Sequence, residues 1–199
     1  MENIFFENGL LFTKDLNTQK KRLWDPNRSK IAAGIKKGLT NIPFKKTDNI
    51  LYLGAAEGYT ISYISDIITD GCIYGIDISP HSLQKLYLLS LQRKNLIPIY
   101  GDANKPEEYA QLINGKIDFI IQDVSQKNQI EILKKNADLF LKDKGYILLS
   151  LKLSAISSGN EKTIIETEIN NFKKNFEIID MKKLDPFEKK HILILGRKK

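Results

Sequence analysis

Four places in this 199-residue chain set glycine or a carboxylate where an apolar run stops. The turn Gly54-Ala55-Ala56-Glu57-Gly58 follows Ile50 to Leu53, and Asp77 closes Tyr74-Gly75-Ile76 ahead of Ile78. Asp102-Ala103 follows Leu96 to Tyr100, and Asp123-Val124-Ser125-Gln126 follows Ile117 to Gln122. Gly54 and Gly58 lack a Cβ, so the backbone can turn sharply there and a ligand can approach the main chain. An acidic residue about 20 positions after such a turn can accept both hydroxyls of a ribose, which is the place of Asp77. Asp102 adds a polar partner suited to an adenine edge. Any one aspartate could be no more than a helix N-cap. Four successive strand ends of this kind describe a site for an adenosine-containing ligand, and two cofactors fit it, NAD and S-adenosyl-L-methionine.

These residues need a doubly wound sheet to bring them together, because ligands of such sheets bind beyond the carboxyl ends of the strands. From residue 49 the pattern alternates. Strands are expected at 50–54, 72–78, 96–100, 117–123, 145–152, 176–184 and 191–196, with helices at 58–69, 80–93, 105–113, 126–141 and 159–174. The near-continuous apolar strands fit burial on both faces of a mostly parallel, Rossmann-like α/β sheet. The last two strands have no helix between them, so the chain should end in an antiparallel hairpin at the sheet edge. That ending, and a turn without the third glycine of Gly-x-Gly-x-x-Gly, favour S-adenosyl-L-methionine over NAD. Residues 1–48 read as a separate N-terminal region before the domain at 49–199. A β-hairpin turns at Asn8-Gly9, and a linking helix starts with Asp25 as N-cap and Pro26 in its first turn, bearing Lys30.

Composition narrows the partners. The net charge of +7 is uneven: residues 1–48 carry ten Lys/Arg against five Asp/Glu, and a second basic cluster runs from Lys182 to Lys199. Clustered cations of this kind suit a polyanion such as RNA. No apolar run approaches the roughly 20 residues that span a bilayer, and the first residues do not form a secretory signal, so a cytoplasmic protein is expected. The single cysteine, Cys72, reads as a structural thiol of a reducing compartment, and nothing in the pattern calls for a metal.

The chain resembles the fibrillarin family in its archaeal form. The resemblance rests on Trp24-Asp25-Pro26-Asn27-Arg28-Ser29-Lys30-Ile31-Ala32-Ala33, Leu51-Tyr52-Leu53-Gly54-Ala55-Ala56, Gly101-Asp102-Ala103, Asp123-Val124-Ser125-Gln126, Ser150-Leu151-Lys152 and Asp185-Pro186-Phe187-Glu188-Lys189-Lys190-His191, and it runs through essentially the whole chain. It implies an S-adenosyl-L-methionine-dependent 2'-O-methyltransferase acting on ribosomal or transfer RNA within a ribonucleoprotein. The implied partners are a box C/D guide RNA, the target RNA, a Nop-domain scaffold protein and a kink-turn-binding ribosomal-type protein. By position, the resemblance sets the donor against Gly54-Ala55, Tyr59-Thr60, Asp77-Ile78, Asp102-Ala103 and Asp123 to Gln126. Tyr59 stands where Thr is common, Asp77 where Glu is usual and Ser125 where Ala is frequent.

The resemblance also implies a catalytic set. Lys30, Asp123 and Lys152 match the Lys-Asp-Lys group of related ribose methyltransferases, with His191 in a fourth position. The ribose 2'-hydroxyl is a weak nucleophile and must lose its proton as it attacks a sulfonium methyl. A lysine can take that proton only where neighbouring positive charge or burial favours its neutral form, which is why Lys30 and Lys152 are expected close together. Two other readings stand beside this one: a non-catalytic ribonucleoprotein subunit that retains the fold, and a small-molecule methyltransferase or NAD oxidoreductase, which the basic front and tail disfavour.

Overall fold

The computed structural model describes residues 3–39, 41–156 and 159–199. In chain order its elements are β1 (Ile4–Glu7), β2 (Leu10–Lys14), β3 (Lys21–Leu23), α1 (Lys30–Lys36), β4 (Ile50–Leu53), α2 (Tyr59–Ile67), β5 (Ile73–Asp77), α3 (Pro80–Ser90) and β6 (Leu96–Tyr100). After two 3-10 turns, Pro106–Glu108 and Ala110–Leu112, come β7 (Ile117–Gln122), α4 (Gln129–Phe140), β8 (Leu141–Lys152), α5 (Leu153–Ile156), α6 (Glu161–Asn175), β9 (Phe176–Lys183) and β10 (His191–Lys198).

A seven-stranded sheet in the order β6-β5-β4-β7-β8-β10-β9 carries the molecule. All its neighbours pair in parallel except β10, which lies antiparallel between β8 and β9. The expected terminal hairpin is therefore present, with its second strand inserted inside the edge. Strand residues divide by parity between two apolar layers, as a period of two requires. Ile50, Tyr52, Phe119 and Ile121 face the layer closed by α1, α2 and Leu86 of α3. Leu51, Leu53, Ile120 and Leu149 face the layer closed by α4 and Phe172 of α6. The helices that connect β4, β5 and β6 cover one face and the helix that connects β7 to β8 covers the other, so the crevice between β4 and β7 is the switch point.

Four sequence expectations shift. The N-terminal hairpin gains a third strand, β3, paired with β2. The linking helix begins at Lys30, with Ser29 as its N-cap, and not at Asp25. The Asp25 carboxylate instead accepts from the Asn27 amide (2.9 Å), a local turn that competes with helix initiation. The helix expected at 105–113 is two 3-10 turns, because Tyr109 at φ −117° breaks the helical phase between them. The helix expected at 126–141 starts only at Gln129, which leaves residues 123–128 as a loop at the sheet's carboxyl edge.

The N-terminal sheet rides on α2. Leu11 and Trp24 belong to the same apolar layer as Ile61 and Leu193, and the Trp24 ring stacks on Tyr63 at 5.2 Å. At its polar seam, fully buried Asp66 of α2 accepts from the Thr13 hydroxyl (2.7 Å), the Leu16 amide (3.0 Å), Arg22 (2.5 Å) and Arg93 (2.6 Å). Cys72 is half-buried against the second layer. Among the described residues no helix is long and apolar enough to cross a membrane.

Candidate active site

Gly54 opens the switch-point crevice. At φ +80° it holds a conformation that L side chains rarely adopt, and a Cβ there would lie 2.5 Å from the Asp123 carbonyl oxygen. The glycine lets the ends of β4 and β7 close on one another. The hollow that results has a volume of about 310 Å³ and is lined by Gly54, Ala56, Ile76, Asp77, Ile78, Gly101, Asp102, Ala103, Asp123, Val124, Ser125 and Gln126. A roomier hollow of about 410 Å³, lined by Phe44, Lys45, Lys46 and Ile67 among others, lies at the amino ends of the strands. That hollow gathers no carboxylate, and open α/β sheets bind ligands at the other end.

Sequence reasoning named nine of the residues lining the smaller hollow. Ala55, Tyr59 and Thr60 lie beside it and not in its wall. Ala55 is buried. The Tyr59 ring packs edge-on against Tyr63 (5.2 Å) and beneath the Arg28 guanidinium (4.0 Å), and the Thr60 hydroxyl donates to Ser29 Oγ (3.1 Å). The bulk of Tyr59 is thus taken up by the N-terminal segment. Ala56, Ile76 and Gly101 were missed. Gly101 had a signal, since it directly precedes Asp102, and a Cβ on it would lie 2.7 Å from the Tyr109 ring.

The carboxylates are held by local hydrogen bonds. Asp77 accepts from the Ala56 amide through Oδ2 (2.7 Å) and from the Ser79 amide through Oδ1 (2.8 Å), which ties the end of β5 to the glycine turn. Asp102 accepts from the Asn104 amide through Oδ1 (2.9 Å), and the Asn104 side chain donates to Gln126 (2.5 Å). Asn104, invisible to motif reading, therefore joins the loops after β6 and β7. Ile78 is 54% exposed beside these polar groups and presents an apolar surface that a flat base could cover.

At the mouth of the hollow two lysines reach the loop after β7. Lys30 Nζ donates to Asp123 Oδ2 at 2.9 Å, and Lys152 Nζ donates to Ser125 Oγ at 3.2 Å. Residues 93 positions apart in sequence thus form an ion pair with roughly a quarter of each side chain exposed. Lys30 is the first residue of α1, where a cation opposes the helix dipole, so the Asp123 carboxylate rather than helix stability accounts for its placement. Beneath the pair, the fully buried Tyr52 phenol is pushed above its ordinary range, by burial first and then by the nearby Asp123 carboxylate. His191 stands directly across from Lys152 in the antiparallel β8–β10 register. Its Nδ1 lies 2.9 Å from the Lys189 carbonyl. A carbonyl only accepts, so Nδ1 carries a proton.

Comparison with known proteins accords with this geometry. The chain is 43% identical over 177 residues to a fibrillarin-like rRNA/tRNA 2'-O-methyltransferase from Methanococcus voltae, covering 88% of this chain and 77% of that protein. Its fold matches fibrillarin in a fibrillarin/Nop5p complex, with a TM-score of 0.93, 36% identity and coverage of 99% of this chain and 98% of that one. It also matches Aeropyrum pernix fibrillarin with natively bound S-adenosyl-L-methionine, with a TM-score of 0.86, 37% identity and coverage of 94% and 88%. The family model described as Fibrillarin matches residues 7–199, and the chain belongs to that family.

Proposed function

We propose that this chain is an S-adenosyl-L-methionine-dependent RNA ribose 2'-O-methyltransferase acting on ribosomal or transfer RNA, the catalytic subunit of a cytoplasmic ribonucleoprotein. The observation that carries the reading is the Lys30–Asp123 pair, with Lys152 beside it, at the mouth of a hollow walled by Asp77 and Asp102. That hollow fits the donor by its chemistry: carboxylates at two neighbouring strand ends for ribose hydroxyls and an adenine edge, an exposed isoleucine for the base, and a glycine turn for the methionine end. Residues 49–199 serve as the catalytic domain, and 1–48 as the unit that delivers Lys30.

The donor supplies a methyl group on a positively charged sulfur. The chain's residues do the rest. Gly54, Asp77, Ile78, Asp102, Ala103 and Val124 to Gln126 hold and orient the donor, with Ala55, Tyr59 and Thr60 supporting the turn from behind. Asp123 orients Lys30 and would offset the positive charge of a bound donor. With the donor held in the hollow, the Lys30–Asp123–Lys152 set, with His191 next to Lys152, would take the proton that the 2'-hydroxyl gives up on methylation. Much of the rate comes from in-line positioning of the RNA. A box C/D guide RNA, a Nop-domain scaffold of the Nop5p kind and a kink-turn-binding ribosomal-type protein provide that positioning.

The test is methyl incorporation into a target RNA with the reconstituted partners. Wild-type protein should methylate the guided nucleotide and bind the donor in calorimetry. Full activity in both Lys30→Ala and Lys152→Ala would sink the mechanism, and absence of donor binding would turn the protein into a non-catalytic subunit.

A further inference from the structure

Lys152 is the last residue of β8, three positions beyond Leu149, which pairs with the final residue of β7, Gln122. The main chain of Lys152 therefore faces a position that no strand fills on the β7 side. A side chain fills it. The fully buried amide of Gln129, first residue of α4, accepts from the Lys152 amide N–H through Oε1 (2.9 Å) and donates through Nε2 to the Lys152 carbonyl (3.1 Å). One planar group thus supplies the donor and the acceptor of a missing ladder rung. Gln129 is held in turn: buried Gln122 donates from Nε2 to the Gln129 carbonyl at 2.8 Å. Gln122 immediately precedes Asp123.

We infer that Gln129 is a positioning residue for methyl transfer, which fixes Lys152 relative to Asp123 and Lys30 by clamping the Lys152 main chain. The inference rests on the function proposed above. The loop Asp123–Asn128 reaches Lys152 only at its side chain, through Ser125 Oγ, and β10 pairs with Lys152 on the other side, so on the β7 side the glutamine pair is what holds the Lys152 main chain. An amide is required. A buried polar side chain is costly unless hydrogen-bonded, an ionised carboxylate offers no donor, and an apolar side chain would leave two main-chain groups of Lys152 without partners.

The experiment uses the reconstituted particle, guide and target RNA, and measures kcat, KM for RNA, donor Kd and thermal unfolding for wild type, Gln129→Met and Gln129→Glu. Inactive wild type would overturn the functional reading itself; active wild type makes the variants decisive. Gln129→Met, close in volume, should lower kcat about 10- to 100-fold, as displacement of a supporting group does. Donor Kd and KM should stay within about twofold, because Gln129 does not line the hollow. Gln129→Glu should also be impaired near neutral pH and recover as pH falls, when the protonated carboxyl can both donate and accept. In a Lys152→Ala background Gln129→Met should cost little more, since it acts through Lys152. Wild-type kcat in Gln129→Met overturns the inference, as does a kcat loss matched by loss of donor affinity or repeated in full without Lys152. Should Gln129→Met not fold, the kcat and pH profile of Gln129→Glu decide in the same way, a flat wild-type profile overturning the inference.

Discussion

Two aspartates in this molecule each draw cations from distant parts of the chain, with opposite outcomes. Asp66 lies at the seam between the N-terminal sheet and α2, is fully buried, and has both oxygens engaged by Thr13, Leu16, Arg22 and Arg93. Asp123 sits at a strand tip with a quarter of its side chain exposed and a single lysine partner. The first cluster is saturated and closed, so its charges serve only the docking of one sheet on one helix. The second is open on the side that faces the hollow, so its charges remain able to act on something outside the protein. Saturation, and not the presence of an ion pair, separates the two.

The largest effect should come from breaking the closed cluster. Asp66→Ala leaves two arginines, one of them 5% exposed, without their shared carboxylate. It should cost about 3–5 kcal/mol in denaturant unfolding, with donor affinity of the folded protein unchanged. Asp123→Asn should do the reverse: methyl transfer falls about a hundredfold or more, as loss of a group serving proton transfer does, while the unfolding midpoint moves little, because a single partly exposed pair open to solvent is worth only about 0–1 kcal/mol. A stability loss in Asp123→Asn as large as in Asp66→Ala would collapse the distinction.

Asp77→Ala tests the wall of the hollow between these extremes. It removes a carboxylate that orders the Ala56 turn and, in the function proposed above, accepts the ribose hydroxyls, so donor affinity in calorimetry should fall about 10- to 100-fold. The smallest effect is a pH dependence at the edge of the closed cluster, where Arg93 also pairs with Asp15 at 2.9 Å. Burial alone would raise the Asp15 carboxyl, but the Thr18 and Asn17 groups and the Arg93 guanidinium outweigh it, so the folded protein holds Asp15 below its ordinary value. The unfolded chain then takes up the proton first as pH falls. The contribution is present in full above about pH 4 and is lost as pH drops below it. Asp15→Asn should flatten that part of the stability curve, and an unchanged slope would assign the acid sensitivity elsewhere.

Much of this was legible in the chain. Near-continuous apolar runs alternating with helical segments marked the strands, and Gly54, Asp77, Asp102 and Asp123 marked strand ends, because one glycine or carboxylate after an apolar run leaves a local signature. The start of α1 was misplaced because Asp25-Pro26 and Ser29 both carry N-cap signals, and only the Asp25–Asn27 hydrogen bond decided between them. The resemblance sets Tyr59 against the donor where Thr is common, and only the fold shows that its ring packs against Tyr63 and Arg28.

The sequence by itself determined the alternation of elements, the family, and the residue types that a methyl transfer needs. Those depend on local periodicity and on short motifs, which survive without any knowledge of contacts. The tertiary structure alone decided that Lys30 meets Asp123 across 93 residues, that β10 slips between β8 and β9, and that two buried glutamines brace Lys152. Each of these is a pairing between distant segments, set by which strand tips the switch point brings together, and nothing in a glutamine's neighbours in sequence reports that its amide will close a sheet.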